Sequence, residues 1–142
     1  MNHPVMKSLI FGLLLLVLAA CTSDDPVGKT VPVKGKVIVD GKPATHGGVS
    51  FWPDAANGNT SQYECSGKIA EDGTYTLYTR KKAGAPLGAY KVTVIIQTKA
   101  ESTEPTKAKL ELPKKYTTKE TTPLAVEVVA SPAAGAYDLD VK

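Results

Sequence analysis

The sequence predicts an all-β protein: one antiparallel β-sandwich of about seven strands, preceded by an export signal and a short linker. Three observations carry this expectation. From Val31 onward apolar and polar residues alternate with period two, and no stretch of helical length shows apolar residues every 3.6 positions. Turn formers interrupt the alternation repeatedly, at Asp40-Gly41-Lys42-Pro43, Asp54 to Ser61, Glu71-Asp72-Gly73 and Ser131 to Ala136. Ahead of all this, Leu9 to Leu18 is an apolar run broken only by Gly12 and closed by Ala19-Ala20-Cys21.

The first strand is expected over Val31 to Val39, with Val33, Val37 and Val39 on one face and Lys34 and Lys36 on the other, because side chains alternate across a strand. Asp40-Gly41 then turns the chain, since both residues tolerate positive φ. Gly48 to Trp52 is the second strand, with Val49 and Phe51 inward and Pro53 as its stop. Tyr63 to Ala70 is a weaker strand. Thr74 to Thr79 turns Tyr75 and Leu77 inward, and Arg80 to Gly88 reads as a loop. Ala89 to Gln97 has the strongest alternation, with Tyr90, Val92, Val94 and Ile96 on one side. Thr98 to Lys109 has no periodicity and reads as an excursion. Leu110 to Leu112 is a short strand ended by Pro113. Leu124 to Val129 and Tyr137 to Val141 complete the set, with Leu124, Val126, Val128, Tyr137, Leu139 and Val141 inward.

Length and charge narrow the function classes. The chain has 142 residues, one domain's worth. It holds 17 basic and 14 acidic side chains; without Lys7 the balance is 16 against 14, a net of +2. The only basic run is Arg80-Lys81-Lys82, which reads as a solvated turn, so no nucleic-acid partner is expected. The cysteines are Cys21 and Cys65. Cys65 lies in a strand candidate and is expected to be a small buried hydrophobe rather than a reactive thiol.

The first 20 residues have the layout of a secretory signal: Lys7 as a basic start, the apolar run, then small residues. The run is too short to span a bilayer as a mature helix. Leu18-Ala19-Ala20-Cys21 resembles the lipobox of bacterial lipoproteins. That resemblance implies cleavage before Cys21, lipid on its thiol and amino group, and a mature chain tethered to a membrane. Residues 21–30 are then the lipidated N-terminus and a polar linker (Thr22 to Thr30), and 31–142 the β-domain. Thr22 stands where an Asp would resemble an inner-membrane retention signal, which points to the outer membrane in a cell that has two.

Three stretches resemble the carboxypeptidase regulatory-like, or transthyretin-like (prealbumin-like), β-sandwich of envelope lipoproteins. They are Val37 to Pro43 with Gly48 to Pro53; Glu71 to Leu77 with Gly88 to Val94; and Leu112 to Tyr116 with Leu124 to Val128 and Tyr137 to Val141. The resemblance covers Val31 to Lys142 and implies an Ig-like or prealbumin-like scaffold that is mostly non-catalytic. Transthyretin-like sandwiches include a hydrolase of 5-hydroxyisourate, whose pattern asks for several His, an Arg and a C-terminal Tyr-Arg-Gly-Ser. This chain ends Tyr137-Asp138-Leu139-Asp140-Val141-Lys142, and only His46 follows the signal. No catalytic residue, metal site or cofactor is therefore expected. His46 alone lacks the three or four donors of a zinc site. Asp54, Asn57 and Asn59 do not have calcium-loop spacing and read as a turn.

The outward positions are the more informative ones. If the inward set holds, Ile38, Trp52, Tyr78 and Ile95 point away from the core. An exposed apolar cluster with Trp and Tyr marks a partner site. The sequence thus reads as a membrane-anchored, non-enzymatic β-sandwich that binds an envelope protein or glycan, or serves a structural role. The alternatives are a carbohydrate-binding module with Trp52 at the centre of a flat aromatic platform, or an uncharacterised transthyretin-like hydrolase.

Overall fold

The computed structural model describes residues 25–97 and 112–142. The expected signal over 1–20, Cys21, the linker residues 22–24 and the Thr98 to Lys109 excursion lie outside those residues, as do the first two positions of the Leu110 to Leu112 strand; Leu112 itself is not in a strand. The described chain is all-β. Its strands are β1 (Lys34–Val39), β2 (Lys42–Pro43), β3 (Gly47–Pro53), β4 (Cys65–Ile69), β5 (Thr74–Thr76), β6 (Tyr78–Thr79), β7 (Lys82–Ala83), β8 (Gly88–Ile96), β9 (Ala125–Val128) and β10 (Leu139–Val141).

The strands form one curled sheet in the order β10-β1-β5-β4-β3-β8-β9. Neighbours are antiparallel except β1 and β10, which run parallel with Val37 opposite Leu139 and Val39 opposite Val141. An antiparallel sandwich was the expectation, and this pair departs from it because the last strand docks on the outer edge of the first. Strand β1 is shared: Lys34 to Lys36 pair with β5, and Val37 to Val39 pair with β10. Three other expectations are refined. The Asp40-Gly41 turn closes a real hairpin to β2, with φ of 49° and 80° at the two turn residues, as a primed turn requires. The Thr74 to Thr79 strand is broken at Leu77. The expected loop at Arg80 is the tip of a tight β6–β7 hairpin.

One core fills the curl. Val33, Val37, Val39, Val49, Phe51, Tyr75, Leu77, Tyr90, Val92, Val94, Val128, Tyr137, Leu139 and Val141 are all buried, as their alternation predicts. Leu124, Val126 and Ile96 are half-buried against its margin. Phe51 is the aromatic centre, with ring centroids 6.3 Å from Tyr75 and 5.8 Å from Tyr90. Each full burial contributes roughly 1.5–3 kcal/mol. The C-terminal end is fastened to the β8 side by Tyr116, which sits in a 3-10 turn (Lys114–Tyr116). Its hydroxyl donates to the Lys142 carbonyl at 2.9 Å and accepts the Lys142 N–H at 3.4 Å.

β10 is locked onto β1 by a polar knot. The buried Tyr75 hydroxyl donates to the Tyr137 carbonyl at 2.5 Å, and the Lys36 N–H donates to Asp138 Oδ1 at 2.9 Å. Burial, with the nearby Asp138 charge, pushes the Tyr75 phenol well above its ordinary range. Gly35 lies beneath this crossing. A Cβ there would stand 2.1 Å from the Tyr137 oxygen and 2.8 Å from the Tyr75 ring. Replacing Gly35 with Ala is expected to lower the unfolding free energy by more than about 2 kcal/mol. Tyr75→Phe is expected to lower it by about 1–3 kcal/mol, because the Tyr137 carbonyl loses its donor. Urea titrations followed by Trp52 fluorescence measure both; a wild-type midpoint for Gly35→Ala would show that the closure does not run over this residue.

Candidate functional site

Apart from Trp52 and Lys68, the outward positions of β3, β4, β5 and β6 carry small or hydroxylated residues, and together they make a trough. Register places Gly48 between Lys68 and Ile95, and Ser50 between Ser66 and Thr93. Tyr78 stands beyond Ser66 on β6. The result is a shallow cleft of about 660 Å³ whose lining includes Gly48, Ser50, Ser66, Lys68, Thr76 and Tyr78. Large side chains flank a floor without bulk. Tyr78 is 49% exposed and Ile95 is 55% exposed.

Trp52 forms a fixed neighbour of this trough. It follows Ser50 by two on the same face of β3. Its indole N–H donates to Thr93 Oγ1 at 3.0 Å, which accounts for a threonine buried among the outward positions. The Lys119 ammonium lies over the ring, 5.3 Å from its centroid. The indole is half-buried and partly capped, so it is not the centre of an open aromatic platform.

The four residues singled out by outward alternation therefore separate into two groups. Tyr78, Ile95 and Trp52 surround the Gly48–Ser50 floor. Ile38 does not join them: it is half-buried, paired with Asp140 and Pro43, on a strand separated from β3 by β5 and β4. Outwardness was legible from period two, but the strand order that distributes outward residues over the sheet was not. Ser50, Ser66 and Thr76 line the floor; their signal in the sequence is that small hydroxyl residues recur at outward positions of separate strands.

The remaining polar candidates are occupied in holding the fold. Asp54 is buried, and its two oxygens accept from the Ala56 N–H at 3.2 Å and the Asn57 side-chain amide at 2.7 Å. Asn59 donates to the Ala89 carbonyl at 2.8 Å and accepts from the Ser61 N–H at 3.1 Å. These three residues are loop braces. His46 faces Glu71 with 3.9 Å between Nε2 and Oε1. Among the described residues no three His, Cys, Asp or Glu side chains gather as metal donors.

Cys65 is fully buried, and Thr79 Oγ1 lies 3.1 Å from its sulfur. Burial pushes the thiol pKa up, which disfavours the thiolate that chemistry would need. Burial likewise raises the neighbouring Tyr90 phenol to about 12, and its hydroxyl donates to the Pro86 carbonyl at 2.9 Å.

The linker expected over residues 22–30 is not a loose spacer along its described part. Val27 is buried, and Thr30 Oγ1 donates to the Ala83 carbonyl at 2.8 Å. Val31 and Ala85 exchange N–H···O bonds of 2.9 and 3.0 Å. Lys82 binds the Asp25 carboxylate at 2.7 Å and also donates to the Gly28 carbonyl. That ammonium holds the Asp25 carboxyl below the usual carboxylate range. Residues 25–31 are thus strapped to the β6–β7 hairpin.

Comparison of the chain with family models, curated proteins and solved structures returned no match. The trough and its rim consequently stand on their own geometry.

With Cys21→Ser leaving Cys65 as the only thiol, an aromatic disulfide reagent is expected to react with the native protein about a thousandfold or more slower than with the unfolded chain. Comparable rates in buffer and in denaturant would place this thiol at an accessible surface instead.

Proposed function

We propose that this chain is an exported lipoprotein, anchored through Cys21 to an envelope membrane (the outer one where there are two), whose β-sandwich is a non-catalytic binding module. The observation that carries the reading is the trough: a floor of Gly48, Ser50 and Ser66 with Tyr78 and Ile95 exposed at its rim. A floor without bulk admits a partner's backbone or side chains. The exposed Tyr and Ile supply the apolar anchors on which interfaces depend. Hydroxyls of Ser50, Ser66 and Thr76 and the ammonium of Lys68 supply polar contacts along it.

A protein segment suits this surface better than a sugar ring. Sugar stacking needs an open aromatic face, and Trp52 has Lys119 over its ring while its N–H is committed to Thr93. The hydrolase reading has less support still, since His46 has only Glu71 beside it and Cys65 is buried.

Two measurements test the proposal. Growth with a labelled fatty acid is expected to mark the wild-type chain and not Cys21→Ser; a wild-type chain that takes up no label would overturn the anchor. The paired substitution Tyr78→Ala and Ile95→Ala removes only exposed side chains, so stability is expected to change by less than about 1 kcal/mol. An envelope partner captured by the mature chain in detergent extract is expected to lose about tenfold or more in affinity for that variant. Unchanged capture would place the binding surface elsewhere.

A further inference from the structure

We propose that the end of the sandwich formed by residues 25–30, the β6–β7 hairpin and the start of β8 rests on an anionic phospholipid surface. Leu87 and Val129 would enter the interface while Lys29, Arg80 and Lys81 meet headgroup phosphates. This inference rests on the anchor reading of Cys21.

The length of the tether limits where the domain sits. Only Thr22, Ser23 and Asp24 separate Cys21 from Asp25, and Asp25 is fastened to Lys82 at 2.7 Å. A fully extended chain from Cys21 to Asp25 reaches about 14 Å. The hairpin beside Asp25 cannot stand far from the bilayer that holds the lipid. Its position there is comparable with the Debye length of about 8 Å over which headgroup charge acts.

The end that faces the bilayer has a matching composition. Arg80 and Lys81 form the exposed hairpin tip, and exposed Lys29 lies on the strap. Arg80 also lies over the Tyr63 ring, 5.3 Å from its centroid. Among the described residues the acidic groups at this end are Asp25, paired with Lys82; Asp54, buried and bound by its loop; and Glu64 and Glu127, both exposed, the latter opposite Ala89. The described large apolar side chains with the greatest exposure are Tyr78, Leu87, Ile95 and Val129. Tyr78 and Ile95 belong to the trough. Leu87 and Val129 are brought together at this end: Gly88 pairs with Val128 across β8 and β9, so Leu87 and Val129 are the next residues outward on the two strands. They are 55% and 37% exposed.

The opposite end is different. The chain runs from Val31, strapped beside Ala85, through β1 to the Asp40-Gly41 turn, a path of about 30 Å at the rise of an extended strand. Glu71 and Asp72 lie in the β4–β5 turn at that far end, where Gly73 bonds Val37. Its exposed charges are mixed, with Asp40, Glu71, Asp72 and Asp140 alongside Lys42 and Lys142, so it has no cationic tip.

The test uses the mature acylated chain reconstituted on vesicles of phosphatidylcholine with about one third phosphatidylglycerol. Ala83→Cys in the hairpin and Glu71→Cys at the far end are each labelled with a fluorophore; buried Cys65 stays silent. Nitroxide-headgroup lipid is expected to quench the dye at 83 about threefold or more over the dye at 71. Each cation near an anionic leaflet raises local partition about fivefold, so Arg80→Glu with Lys81→Glu is expected to remove most of that contrast while the chain stays bound. Equal quenching at both sites, with the chain retained through alkaline carbonate, overturns the proposal and leaves the anchor standing. Release of the chain by carbonate overturns the anchor and this inference with it.

Discussion

The hydroxyl of Tyr75 reaches the carbonyl of Tyr137 across β1, and it does so over the one residue there that has no side chain. It fastens the chain at the point where it enters β10 and the parallel pairing of Val37 to Val39 with Leu139 to Val141, which buries Leu139 and Val141 beneath the curl. Tyr75 and Tyr137 are 62 positions apart. The contact therefore closes a long loop, and its entropic cost must be met by burial of the strands already in place. Asp138 adds a second latch on the Lys36 N–H, so the chain enters β10 in one register rather than in two that differ by a residue.

That closure goes with an interior whose described polar groups are paired. Among the described residues no buried side-chain nitrogen or oxygen lacks a hydrogen-bond partner. The phenols of Tyr75, Tyr90 and Tyr116 are tied to backbone carbonyls. Thr79, buried, bonds the Gly84 carbonyl at 2.7 Å. Side chains not engaged in the core lie on the outer face, where strand alternation leaves every second residue to solvent. The trough is the part of that face where three or four neighbouring strands place small side chains in register.

Much of this was legible in the sequence. Period two gave the strands and the inward set, and the Asp-Gly and Glu-Asp-Gly signals gave the turns, because both are local. Val33, Val37, Phe51, Tyr75 and Tyr90 fell on the correct face for that reason. What escaped was non-local. Nothing in the spacing of Leu139 and Val141 says that their strand runs parallel to β1, and nothing near Ile38 says that two strands will lie between it and Trp52. The capping of Trp52 by Lys119 joins residues far apart in the chain. The strap over residues 25–31 escaped differently: its composition is that of a linker, and only the partners at Lys82, Ala83 and Ala85 convert it into part of the domain.

The strap has a geometric consequence for the trough. β1 begins beside the strap and runs away from it, and β3, β4 and β8 lie alongside in the same sheet. Under the anchor proposed for that end, the strands would stand away from the membrane rather than lie along it. The outer face of β3 and β4 would then look sideways, with the floor at Gly48 and Ser50 offered in the plane of the envelope. A partner of the proposed kind would reach Tyr78 and Ile95 from the side, at a height set by the strand length between the hairpin and those residues. That geometry would favour a neighbour itself held near the same membrane, because confinement to one layer raises the effective concentration of two weakly complementary surfaces without any added contact.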